Sequence, residues 1–264
     1  DSNGDVYNIL LIGSDTRNGW YVNSDSMILA SINSQTKTIY MTSFMRDLYA
    51  NIPNVGIRKL NSAYAVGGGP LLVSTIESNY RVDIDNYASV DFSSMANIID
   101  LVGGVDLEVS TQEAGYINMY LDEQCRLQGL NASDYYVAGG GITHLNGNQA
   151  VGFARIRYTS RGNEHSDYGR TSRQREILVQ LMQKARSLDA TTLLAVVNNM
   201  LPLITHNIDA ATLTTLIANA PSYINYDIQT DRIPYDGLYS NLGEELVPDF
   251  EATINRLHQT IYGN

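Results

Sequence analysis

Residues 8 to 32 read "NILLIGSDTRNGWYVNSDSMILASI", two apolar runs joined by a Gly/Asn/Ser-rich connection. Both runs have the length and aliphatic, β-branched content of strands, so they read as neighbouring strands of a sheet. The connection carries Asp15, Arg17 and Asp25. A plain turn needs Gly or Asn for its dihedrals and at most one Asp for its backbone, but not an Asp-x-Arg set directly at a strand end. These charges raise the question of a site at the edge of the sheet.

Outward from this pair, strands are expected at 6–12, 26–33, 37–43, 84–90, 105–109 and 225–233, several rich in β-branched or aromatic residues. Helices are expected at 70–80, with Pro70 at an N1-like position, and at 91–102, opened by Asp91 and closed by Gly103-Gly104. Further helices fall at 146–157, 168–187, 189–200, 209–219 and 246–261. Strands interleaved with helices predict an α/β (mixed α+β) fold, a central mixed β-sheet flanked by helices on both faces. The chain of 264 residues shows no Pro/Ser-rich linker or block of like charge, so one domain over 6–264 is expected. Within it, 111–141 reads as a long, partly irregular insertion and 188–264 as a helical covering region. Residues 1–5 read as a polar linker left from a removed N-terminal segment.

The composition sets limits. The longest apolar runs are far too short to cross a bilayer. Cys125 is the only cysteine, which excludes an intramolecular disulfide and a cysteine-based metal site. A net charge of −11 argues against nucleic acid as a partner. The basic residues are nevertheless concentrated: of 17 Lys and Arg, six fall between 155 and 175, and all six are Arg.

That segment ends in a helix whose apolar residues Ile177, Leu178, Leu181 and Met182 mark the buried stripe. Extended toward the N-terminus, the stripe passes through Gln174 and Arg170, directing both inward. A buried Arg needs an anion, either an Asp of the protein or a ligand; a helix N-terminus, with free N–H groups and a positive dipole end, favours a ligand such as phosphate. Arg155 and Arg157 face the same way if extended and diverge if helical. Arg161, Arg173 and Arg175 read instead as a solvated face with ion pairs to Glu164, Asp167 and Glu176.

Asp15 follows one strand and Asp25 precedes the next. Two carboxylates without a nearby His or Cys suit a hard cation, Mg²⁺ or Mn²⁺, that bridges to phosphate oxygens. After the third strand, "SFMRD" sets Arg46 and Asp47 at another strand end, and "NIPNVGIRKLNSAY" reads as a loop carrying Arg58 and Lys59.

"LLIGSDTR", "SDSMILASIN", "SFMRDLYANIP", "KLNSAYAVGGGP", "LNGNQAVGFARIRY" and "DYGRTSRQREIL" occur in the order and approximate spacing of the LytR-CpsA-Psr family, whose catalytic domain this sequence resembles over most of residues 5–187. The resemblance implies a membrane-anchored enzyme at the extracellular face of a bacterial membrane. Such enzymes transfer a glycopolymer, such as wall teichoic acid or capsular polysaccharide, from a polyprenyl-pyrophosphate carrier to peptidoglycan. It implies Asp15 and Asp25 as Mg²⁺ ligands and Arg46, Arg155, Arg157 and Arg170 as a clamp on the pyrophosphate. Gln174 and Arg17 would assist, with Lys59 at the rim, and Asp47 and Asp167 are candidates for positioning groups or a base. The N-terminal anchor would lie upstream of this chain.

The residue chemistry suits that role: pyrophosphate transfer is mainly charge neutralisation and in-line positioning, for which a cation and several Arg suffice. The four His, at 144, 165, 206 and 258, lack metal-binding spacing and read as structural or surface residues. A polyprenyl tail calls for an apolar slot between sheet and helices. Two rivals remain: a hydrolase splitting the same lipid pyrophosphate, and a non-catalytic module binding anionic wall polymer.

Overall fold

Alternation along Val6–Ser14 buries Asn8, Leu10, Ile12 and Ser14, the period of a strand. The computed structural model describes residues 5–14, 22–162 and 164–263. In chain order its elements are β1 (Val6–Ser14), β2 (Ser24–Asn33), β3 (Thr38–Phe44), β4 (Tyr49–Ile52), β5 (Gly56–Lys59), α1 (Ser62–Tyr80), β6 (Asn86–Asp91), α2 (Phe92–Leu101), β7 (Val105–Val109) and α3 (Thr111–Gln128). They continue with β8 (Gly141–Leu145), α4 (Gly147–Ala154), α5 (Ser166–Arg186), α6 (Ala190–Met200), β9 (Thr205–His206), α7 (Ala210–Tyr223), β10 (Asp227–Ile233), β11 (Tyr239–Leu242), β12 (Glu245–Pro248) and α8 (Phe250–Tyr262). By packing the chain divides into two compact units, one formed by Asp1–Asp91 with Ile204–Asn264, the other by Phe92–Leu203.

The first unit holds the central sheet, in the order β10-β3-β2-β1-β6-β9. It is mixed: β2 is antiparallel to β1 and β3, β6 is parallel to β1, and β10 is parallel to β3. Met27 to Ser31 are buried at five successive positions of β2, so both faces of that strand are covered, as its unbroken apolar run requires. Helix α1 packs on β2, β4 and β6, and α8 on α1 and β2. Gly67 and Gly68 interrupt α1 with non-helical dihedrals, Gly68 at φ 63°. Pro70 therefore stands in the first turn of the second segment, where its missing N–H leaves no carbonyl unsatisfied.

The second unit packs α2, α3, α4 and α5 with the β7–β8 pair around Ile99, Leu107, Ile117, Leu121, Phe153 and Ile177. The expected irregular insertion at 111–141 is here largely a regular helix, α3, eighteen residues long. Its apolar stripe is one residue wide per turn, Ala114, Ile117, Leu121 and Cys125, too narrow to stand out among polar neighbours. Its start was written in the sequence as a capping box, with Ser110 Oγ accepting from Glu113 N–H and the Glu113 carboxylate accepting from Ser110 N–H. The region after 188 contains strands as well as helices, including β10 of the central sheet.

Candidate functional site

In the first unit, charged groups collect where β2 begins and β3 ends. The β1–β2 register shifts between Gly13 and Ser14, so that Ser14 faces Ser24 rather than continuing the ladder. Such an irregularity bends the strand and re-aims the residues beyond it. Asp25 is the second residue of β2. Its Oδ1 lies 3.9 Å from Nη1 of Arg46, whose Nε lies 3.5 Å from Asp47 Oδ2. Buried Asn61 joins these segments through its backbone, its carbonyl accepting from Ser24 N–H and its N–H donating to the Arg46 carbonyl. Lys59 closes the group, with Nζ 3.0 Å from Asp47 and 3.1 Å from Glu244. The hydrogen bond to Asp47, then that to Glu244, holds the Lys59 ammonium above its ordinary pKa. The expected loop carrying Arg58 and Lys59 is a short hairpin, β4 with β5, in which Tyr49 pairs with Lys59. Asp15 and Arg17 lie outside the described residues.

In the second unit, the arginine segment divides into three groups. Helix α4 stops at Ala154, and Arg155 caps it. The Arg155 guanidinium sits 4.8 Å from the Phe92 ring centre and 4.9 Å from that of Tyr120, where two π faces favour the cation. Arg157 and Arg170 share a carboxylate: Asp167 Oδ1 is 3.4 Å from Arg157 Nε and 2.9 Å from Arg170 Nη2. Arg170 is buried, as the apolar stripe of α5 directs, and Gln174 is half-buried on the same helix. An Asp of the protein does pair with Arg170, one turn away on its own helix.

Arg161, Arg173 and Arg175 do not form a solvated face. Arg175 is buried against Glu164 at 3.5 Å. Arg161 holds Glu176 with Nε and Nη2, a bidentate fork, and stands 3.4 Å from Glu113. Arg173 has no exposed surface, and Glu113, 2% exposed, accepts from its Nε at 2.9 Å. Burial lowers the Arg173 pKa while Glu113 opposes that shift. Two of the ion pairs, Arg161 with Glu176 and Arg175 with Glu164, follow the sequence reading. Glu113, sixty positions from Arg173, could not be matched to it by spacing. Only the capping box pointed to Glu113 at all.

The structure thus brings together Asp25, Arg46, Asp47 and Lys59 in the first unit and Arg157, Asp167 and Arg170 in the second, with Arg155 held apart by its aromatic neighbours. The sequence model of the LytR_cpsA_psr family matches residues 1–257, and the chain belongs to this family. The match extends well past residue 187, where the sequence resemblance fades. A polyisoprenyl-teichoic acid–peptidoglycan teichoic acid transferase TagU of Oceanobacillus iheyensis is 34% identical over 272 residues, covering 98% of this chain and 76% of that protein. The TagU of Enterococcus faecalis is 30% identical over 210 residues, covering 75% of this chain and 62% of that one. Among solved structures, the LytR-CPS2A-psr family protein YwtF (TagT) with bound octaprenyl pyrophosphate lipid superposes with a TM-score of 0.69 at 21% identity, covering 100% of this chain and 93% of that one.

Proposed function

We propose that this protein transfers a glycopolymer from a polyprenyl-pyrophosphate carrier to peptidoglycan, forming a phosphodiester. The observation that carries the reading is the Arg157–Asp167–Arg170 group, two guanidiniums fixed on one carboxylate at the start of α5. It lies inside the sequence blocks shared with a family whose TagU members are named as teichoic acid transferases. The protein with the bound polyprenyl pyrophosphate shares the fold.

In the proposed reaction an acceptor hydroxyl attacks the phosphorus that bears the sugar. The bond to the bridging oxygen breaks, polyprenyl phosphate leaves, and the hydroxyl proton passes to a base or to water. Charge on the non-bridging oxygens is what such a site must stabilise. Arg157 and Arg170 supply planar, bidentate donors for those oxygens, and Arg155, Arg46, Gln174 and Arg17 are assigned to assist. Asp167 and Asp47 are assigned as positioning groups, because each already orients basic side chains, and Lys59 as a rim contact. For a divalent cation, Mg²⁺ or Mn²⁺, Asp25 and Asp15 are the assigned ligands. Such ions take one or two carboxylates and complete their shell with water and phosphate oxygens. Among the described residues no group of three or more His, Cys, Asp or Glu is placed to hold a metal, so the assignment rests on sparse ligation of that kind. When bound, the ion would neutralise pyrophosphate charge. The reaction is assigned to the extracellular face of the bacterial membrane; among the described residues no helix is long and apolar enough to cross it.

The test is a reaction of purified protein with a lipid-linked donor and peptidoglycan, with and without chelator. Polymer covalently joined to glycan supports transfer, and loss of product on chelation supports the cation. Free phosphorylated polymer would mark a hydrolase instead, and unreacted donor that still binds would mark a polymer-binding module.

A further inference from the structure

Arg173 lies outside both clusters assigned to the donor, yet its guanidinium makes four hydrogen bonds. Its Nε donates to Glu113 Oε1 at 2.9 Å and its Nη1 to the Ile156 carbonyl at 3.2 Å. Its Nη2 donates to the carbonyls of Thr159 at 3.1 Å and Ser160 at 3.0 Å. Three of these four acceptors are backbone carbonyls of the turn that carries Arg157. That turn has no helix or strand of its own between Arg155 and Ser160, so its carbonyls need partners from elsewhere. Arg161, just beyond it, is tied to Glu176 of α5. Glu113 is fixed in turn by the N–H and hydroxyl of Ser110, at 2.9 and 3.0 Å.

We infer that Glu113 and Arg173 are positioning residues for the phosphate-binding arginines: they lock turn 156–160 in the conformation that sets Arg157 on Asp167. The inference rests on the reading of Arg157 as a pyrophosphate contact. A guanidinium is required because one planar fork must reach three carbonyls and a carboxylate along fixed directions, which the point charge of Lys cannot do. Glu113 supplies the charge without which a fully buried guanidinium is not tolerated. Helix α3 therefore contributes to the donor site without touching the donor. Displacement of a binding group by about 1 Å can cost about 100-fold in rate, so the lock bears directly on activity.

The experiment uses the full chain and the substitutions Arg173→Lys and Glu113→Gln, the second keeping side-chain shape while removing charge. Amide hydrogen exchange is followed across residues 156–162 and across α5, well below each variant's melting temperature. Pyrophosphate affinity is measured by calorimetry for each variant alone and combined with Arg157→Ala. The expected result is faster exchange confined to 156–162, with Ile177 to Leu181 still protected. Affinity for inorganic pyrophosphate should fall about tenfold in either single variant, and less than about twofold further when Arg157 is already Ala. Unchanged exchange at 156–162, or losses that simply add in the double variants, would overturn the inference. If Arg173→Lys fails to fold, Glu113→Gln decides by the same criteria. A wild-type protein that binds no pyrophosphate would count against the reading of Arg157, while the exchange result still decides whether the pair holds the turn.

Discussion

Arg157 and Arg170 lean on the same carboxylate but differ in what surrounds them. The Arg157 side chain is 34% exposed and that of Arg170 5%. Truncating Arg170 leaves Asp167, itself largely covered, with one fewer partner, and breaking such a pair costs about 3 kcal/mol. Truncating Arg157 releases a half-exposed contact worth about 1 kcal/mol or less. Arg170→Ala should therefore lose transfer and melt well below wild type, whereas Arg157→Ala should lose transfer with a melt near wild type. Thermal melts beside a transfer assay check this, and equal melts would show that Arg170 is no structural partner of Asp167. The inward direction of Arg170 was legible from the spacing of Ile177, Leu178 and Leu181. Arg173, four residues before Ile177, lies on the same stripe, so its burial follows from the same spacing; what spacing could not supply was its partner, Glu113 on another helix.

At the scale of elements, the long apolar strands β1, β2 and β3 and the helices with a broad apolar face were legible because burial and period reinforce each other there, whereas α3, capped but narrowly striped, was not. The short strands β4, β5, β8, β11 and β12 were not. Most of their residues stay at least partly exposed, and only pairing makes them strands. Packing also reverses simple propensity in places. A Cβ on Gly147, at the start of α4, would stand 2.0 Å from the Ala96 carbonyl oxygen of α2. A Cβ on Gly115, within α3, meets nothing within 4 Å. Alanine is the better helix former by about 1 kcal/mol, so Gly115→Ala should stabilise by up to that amount. Gly147→Ala should destabilise by about 1–3 kcal/mol as the helices are forced apart. Urea midpoints of the two variants should move in opposite directions, and a shared direction would mean that the α2–α4 contact yields more easily than its geometry implies.

For the whole molecule, the decisive feature is the path of the chain. The central sheet draws strands from both ends of the sequence, β1 to β3 and β6 from one and β9 and β10 from the other, while Phe92–Leu203 forms the second unit without interruption. Period and propensity located the strand at 225–233 but carry no information on strand order, so the pairing of β10 with β3 lay beyond the sequence. The ladder between β6 and β9 aligns Ala88 with His206 and Ser89 with Thr205. The strands that flank the intervening segment, β6 before it and β9 after it, are thus paired neighbours in the sheet. The first unit is in this sense a host and Phe92–Leu203 its guest, inserted between two strands whose pairing leaves little closure entropy to overcome when they are joined directly. A chain in which Asn-Gly replaces Phe92–Leu203 should fold with one cooperative thermal transition and a strand-rich circular dichroism spectrum. A broad, non-cooperative melt would show that the host depends on its guest. By the same pairing, changes of length within Phe92–Leu203 that spare the arginine segment at 155–175 leave the sheet that positions Asp25 and Arg46 intact, so the two units can change length independently.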